Sequence, residues 1–449
     1  MKMKRKAKFT TGSTMRHVAV MTTTGMIGLT FMFLIDAITL FWVSKLENEN
    51  FMAAMGFAWT VQFFTISFGI AFMIATTALV SRSLGAENWE DARKQTTVFA
   101  LLTFIILSIT VFFLLIFRRE ILMSIGATGI TLDTASTFLL ISVPSLPIMA
   151  LGMIGSAVLR AEGDGVRSMM VTISSGIVAA IVDPLFIFGL DMGIQGAALG
   201  VSVARIVSAI LAIYFIIKVK DLAGSISFQD IKKWYLPFTI IAVPTILTQL
   251  ASPTGNMFAT SVISEFGESA MAGWAVLGRI TVVAFGGVFA LSGAIGGIIG
   301  QNFGAEKFAR VKSAYRDALI FSTFYVFIIW GILAILTPFI LKIFNLSEGA
   351  ADVVKAFNYI AAGSYIFAGA LYVSNSSFNN LGKPLYSTLF NWIKDGAIML
   401  PFCIIGASLY GASGVVYGQG LAYIFAGILS VFFGWWFINR IEKLHKKAI

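Results

Sequence analysis

The stretch Leu29–Trp42, LTFMFLIDAITLFW, holds thirteen uncharged residues and one acid, Asp36. It lies inside an apolar run from Val18 to Ser44, and a helix crosses a bilayer with about 20 such residues. Asp36 therefore falls well inside the hydrocarbon slab. A carboxylate there costs on the order of 2.5–3.5 kcal/mol even on the lenient insertion scale. An acid at that depth marks a pathway for ions, protons or substrate.

The rest of the 449-residue chain has the same character, with 58% hydrophobic and 12% charged residues and a mean hydropathy of +0.88. Soluble domains average about 25% charged residues, so the fold class is an all-α polytopic membrane protein. The apolar runs are mostly 22–30 residues, too long for the roughly 10-residue strands of a membrane barrel. A net charge of +10 does not imply nucleic acid here, because in a membrane protein the placement of charge matters more than its sum. The single Cys403 excludes a disulfide framework and a cysteine-ligated metal site. His17 and His445 lie near the two termini, so no metal and no other cofactor is expected. No cleavable signal peptide is expected either, since the run after the basic start exceeds the roughly 7–15 residues of such a signal.

Twelve spans are legible, at about 18–44, 51–80, 96–117, 134–158, 168–190, 194–217, 235–264, 270–300, 316–342, 354–378, 384–407 and 411–438. An even number puts both ends on one side. Twenty-four Lys and Arg fall on that side, five on the other and three within spans. Excess basic charge marks the cytoplasmic face, so both termini are expected in the cytoplasm and the protein in the cytoplasmic (inner) membrane.

The longest polar break, Lys218–Trp234, divides an N-lobe at 1–217 from a C-lobe at 235–449, with 218–234 as linker. The halves are similar. Leu84-Gly85-Ala86-Glu87 recurs as Phe303-Gly304-Ala305-Glu306 and Gly163 as Gly382, both at an offset of 219. Gly193, Gly196 and Gly200 recur as Gly411, Gly414 and Gly418 at an offset of 218. Ile181–Gly189, IVDPLFIFG, is echoed by Ile398–Gly406, IMLPFCIIG. Two six-helix lobes of one orientation suit a transporter whose halves expose a shared cleft to each side in turn. The spaced glycines first of all let helices approach closely.

No GxxxxGK[ST] loop for nucleotide phosphates is present, which points to an ion gradient rather than ATP as the driving force. Charges within the spans are few: Asp36, Asp183 and Arg205 in the N-lobe, Arg279, Lys394 and Asp395 in the C-lobe. The repeat places Leu400 where Asp183 has its counterpart and Pro253 where Asp36 has its own. Both acids are thus private to the N-lobe. Burial disfavours an ionised carboxylate and a nearby cation favours it, so an acid between those limits can carry a proton across. Structural alternatives exist: Asp36 paired with a hydroxyl or Arg205, Asp183 as a cap, and Arg279 or Lys394–Asp395 snorkelling or self-paired.

With the spans, the repeat and these motifs in hand, the chain resembles the multidrug and toxic compound extrusion (MATE) family over essentially its whole length. The most specific pieces are SRSLGAENWEDARK after span two, LRAEGDGVRS after span four, VDPLFIFGLDMGIQGAALG across spans five and six, and GQNFGAEKFARVK. The N-lobe acids look like the DinF-like branch of that family. The resemblance implies a two-lobe fold and export of amphipathic, often cationic compounds against proton or sodium entry, with acids of the first and fifth helices as coupling site.

Four departures stand out. Val43-Ser44 replaces the usual Val-Gly pair, which puts Thr39 at the family's acid position and Asp36 one turn earlier. Ala179 stands where the family has asparagine, and Val201 where it has threonine, with Ser202 adjacent. No proline occurs in the first half of span one, only Thr22-Thr23-Thr24-Gly25. Losing neutral oxygens removes ligands that a hard cation needs, which favours H+ over Na+.

The expectation is a non-enzymatic antiporter exporting small amphipathic, cationic compounds, surrounded by membrane lipids and acting as a monomer. Asp36 and Asp183 are the proton-coupling residues and Thr39, Ser202 and Arg205 their neighbours. Arg279, Lys394 and Asp395 form a possible polar site in the C-lobe. The rival is a flippase for lipid or lipid-linked precursors, which calls for a strongly basic cleft that three intramembrane cations supply poorly.

Overall fold

The computed structural model describes residues 6–46 and 48–448; the side chains at positions 36, 49, 447 and 448 lie outside the described set. Among the described residues there are helices and turns and no strand. The first seven spans are α1 (Thr14–Ser44), α2 (Glu49–Gly85), α3 (Trp89–Ile116), α4 (Gly129–Ser142 and Leu146–Glu162), α5 (Gly165–Pro184), α6 (Gly193–Tyr214) and α7 (Phe228–Ser264). Then come α8 (Gly267–Ala284 and Gly286–Gly304), α9 (Phe308–Ile343) and α10 (Glu348–Tyr359, then 361–380). The last stretch starts as α11 at Pro384–Trp392 and runs through a π-helical turn, Ile393–Ile398, into Met399–Ala448. Its backbone leaves helical geometry at Tyr410 and Gly411, and residues 412–448 form α12. Both α8 and α10 bend by 43° at their breaks. Counting each bent pair as one span and dividing the last helix at Gly411 yields the twelve spans expected.

Helices overrun the apolar stretches at their polar ends because the flanking residues cap them. Asn88 and Asp164 accept the backbone N–H three residues on, each at 3.1 Å. Ser227 and Asp230 bond reciprocally to each other's backbone N–H at the start of α7, a capping-box arrangement.

The repeat is written into the backbone. Glu87 and Glu306 share a φ of 58°, unusual for a residue with a Cβ. Gly163 and Gly382 turn at 98° and 86°, and Gly193 and Gly411 at 54° and 60°. These are the positions that the sequence offsets pair.

The helices group into two compact units. One comprises Met1–Met26, Gly85–Glu87 and Val243–Ile449; the other comprises Ile27–Leu84 and Asn88–Ala242. The division thus falls within α1 and α7, and residues 6–26 group with the second half of the chain.

In the unit built mainly on α8–α12, the segment before α1 is tied down like a strap. Phe9 is 1% exposed; its N–H donates to Gln301 Oε1 at 2.8 Å, and its carbonyl accepts from Asn302 Nδ2 and Arg310. Arg310 also reaches the carbonyls of Thr11 and Gly12, and Thr14 donates to Asp317. In the other unit the segment before α7 plays the matching part. Leu222 is fully buried, Gly224 exchanges hydrogen bonds with Thr97 Oγ1, and Arg93 holds the carbonyl of Asp221.

Glycines bring α6 against the end of α5 and α12 against the end of α11. A Cβ on Gly414 would overlap the Gly406 carbonyl, one on Gly418 the Phe402 carbonyl, and one on Gly196 the backbone of Phe186. Large apolar side chains such as Ile335, Phe432 and Phe324 stand exposed, as a lipid-facing surface requires.

Two outcomes follow. Gly414→Val is expected to lower the Tm of detergent-purified protein, since overpacking costs about 1–3 kcal/mol, whereas Gly331→Ala, with open space at that site, leaves it unchanged. Phe9→Ala is expected to cost about 3–5 kcal/mol through the cavity it leaves and to speed tryptic cleavage after Lys8.

Candidate functional site

Asp183 closes the last turn of α5, just before Pro184. Proline in a helix withholds an N–H and frees a carbonyl of the preceding turn, and the chain continues as a π-helical turn, Leu185–Gly189. The carboxylate has 0% exposure. Its Oδ2 accepts a hydrogen bond from Thr39 Oγ1 of α1 at 2.5 Å. Its Oδ1 has no hydrogen-bond partner among the described residues and lies against Gly200 of α6, where a Cβ would overlap it. Three helices of one unit therefore meet at one acid. Gly200, which the sequence presents as a helix-packing residue, makes room for a carboxylate instead.

Thr39 thus joins Asp183, as a helix position one turn after Asp36 permits. The side chain of Asp36 itself lies outside the described residues. Ser202 is turned elsewhere: its hydroxyl donates to the carbonyls of Ala198 and Ile141, at 2.9 and 3.3 Å. Arg205 reaches Gln62 Oε1 at 2.8 Å, the Ser142 carbonyl at 3.0 Å and Ser145 Oγ at 3.1 Å. Gln62 also donates to Ser142 Oγ at 3.3 Å. Gln62 had a legible signal, an amide in the middle of the apolar run of α2, and burying such a group unbonded is costly.

The C-lobe candidates separate. Arg279 is exposed on α8, whereas Lys394 and Asp395 are buried and form an ion pair at 2.9 Å. Adjacent residues of a regular helix point about 100° apart; these two sit in the π-helical turn Ile393–Ile398, a feature that often marks functional positions. Among the described residues no group of three or more His, Cys, Asp and Glu side chains could hold a metal ion.

Known proteins share this arrangement of helices. The sequence profile of the MatE family matches residues 25–185 and 244–405, two copies whose starts lie 219 residues apart as the internal repeat does. An FAD transporter of Shewanella oneidensis is 24% identical over 395 residues, covering 86% of this chain and 87% of the relative. The multidrug export protein MepA of Staphylococcus aureus (strain N315) is 24% identical over 402 residues, covering 88% of each. The MATE transporter VcmN of Vibrio cholerae in its bent form superposes with a TM-score of 0.90 at 24% identity, covering 96% of this chain and 98% of that one. With both halves matched by its profile, the chain belongs to the MatE family of multi-pass membrane transporters.

Proposed function

We propose that this transporter exports small amphipathic compounds, cationic ones foremost, in exchange for protons, with the proton carried at Asp36 and Asp183. The observation that supports the reading is the state of Asp183: buried and, among the described residues, held by a single hydroxyl with one carboxylate oxygen unpartnered. Such an acid has a free position for a proton and, among the described residues, no salt bridge to hold it ionised. Thr39 fixes the orientation of the carboxylate, and Gly200 leaves it the space. Among the described residues a single hydroxyl stands beside the Asp183 carboxylate, whereas a hard cation takes several oxygen ligands, so the reading favours H+ over Na+.

The relatives' names support export over lipid flipping, since they refer to multidrug export and to FAD. Arg205 serves as a positioning residue through Gln62, Ser142 and Ser145, and Ser202 steadies α6. The protein works in the cytoplasmic membrane as a monomer, with both termini inside and without a cofactor.

In inverted vesicles under an imposed proton gradient, Asp183→Asn and Asp36→Asn are each expected to abolish coupled transport of a fluorescent cation such as ethidium. Thr39→Val should reduce it by roughly 10- to 100-fold, matching the loss of one hydrogen bond to a charged group, about 1.5–3 kcal/mol. Full activity in Asp183→Asn and Asp36→Asn contradicts the proton-carrier assignment; transport of FAD but not ethidium contradicts the substrate class. Replacing sodium by potassium at a fixed proton gradient should leave the rate unchanged, and a sodium requirement overturns the choice of ion.

A further inference from the structure

The interior of the unit built on α7–α12 holds charge that the proton-carrier reading does not use. Lys394 is 1% and Asp395 2% exposed, and Nζ of the one lies 2.9 Å from Oδ1 of the other. The ammonium also stands 4.1 Å from the ring centroid of Tyr423, within the range of a cation–π contact. Tyr365 packs beside Tyr423 with ring centroids 5.4 Å apart, and Tyr372 packs against the same core cluster. On the far side Gly255 of α7 presses against Asp395, so that a Cβ there would meet Oδ1. Asp395 Oδ2 has no hydrogen-bond partner among the described residues.

A carboxylate and an aromatic face meeting at one point, with further tyrosines packed around them, are groups that recognise a positive ion. Here that point is filled by the chain's own lysine. A second cation beside it would be repelled at short range in a medium of low dielectric constant. The pair is neutral as a whole, and adding or removing one charge leaves a net charge in a dry interior. The π-helical turn serves this arrangement by letting two consecutive residues face each other across one cage.

We propose that the cage of Asp395, Tyr365, Tyr372 and Tyr423 is a binding site for a primary ammonium, occupied by the tethered ammonium of Lys394. Because the occupant is covalently held, it does not leave during transport. The pair stays neutral throughout and contributes no exchangeable ion.

Removing the occupant tests the proposal. Lys394→Ala deletes three methylenes and a nitrogen, which n-propylammonium replaces. Purified in detergent, this variant is expected to gain a saturable rise in Tm of several degrees from n-propylammonium chloride, beyond the effect of sodium chloride at equal ionic strength. It should gain none from n-propanol, and the wild type should respond to neither. Lys394→Ala/Asp395→Asn, without the carboxylate, should lose the response. Equal effects of amine and alcohol, no effect of either, or a response that survives in the double variant overturns the proposal. Should Lys394→Ala fold poorly, recovery by n-propylammonium during solubilisation supports the cage, and failure to recover contradicts it. A comparison without ligand gives a second readout: Lys394→Met should melt below Lys394→Met/Asp395→Asn, because only the single variant strands a buried carboxylate. A single variant as stable as the double counts against the cage.

Discussion

One hydrogen bond, from Thr39 to Asp183, holds a buried acid in place in a bundle of largely apolar helices. A carboxylate out of water is costly without donors, and among the described residues the surrounding helices supply one. Everything local follows from that shortage. Thr39 has to face α5, Gly200 has to lack a side chain, and Pro184 ends the regular helix beside the acid. Among the described residues one oxygen of Asp183 remains without a hydrogen-bond partner, and the proposed proton carrier would use that position.

The two halves of the chain share a backbone plan but differ in how they handle charge. In each, an acid of the fifth helix faces the first: Asp183 meets Thr39, and Asp395 meets Gly255. The first is left with a hydroxyl alone; the second has a lysine one residue away. A duplicated fold therefore carries one acid open to a change of charge and one compensated within its own helix. This asymmetry suits a machine that needs a single site of coupling and a second half that stays electrically constant.

Much of the architecture was legible from the residues because lipid imposes it. Every backbone group must be bonded within the span, so apolar runs of sufficient length become helices, and Gly163 and Gly382 announced turns that recur in the backbone. The overrun of the helix ends was hidden, since it depends on caps such as Asn88 rather than on hydropathy. Hidden too was the strap around Phe9, whose partners Gln301 and Arg310 lie nearly 300 residues away in sequence. At the site, the burial of Asp183 could be read from its place within an apolar run. The role of Gly200 could not, because the same spacing serves helix packing at Gly196. Ser202 looked like a neighbour of the acid from its number, but its hydroxyl bonds to its own helix and to Ile141. Helical phase says which face a residue occupies and not what its rotamer reaches.

The central claim is that Asp183 gives up a proton when a compound is bound for export. The most direct measurement is proton release from purified protein in weakly buffered detergent solution, followed with a pH-sensitive dye as ethidium is added. The account predicts saturable release from the wild type and its loss in Asp183→Asn, with ethidium binding retained. Release of equal size from Asp183→Asn would contradict it.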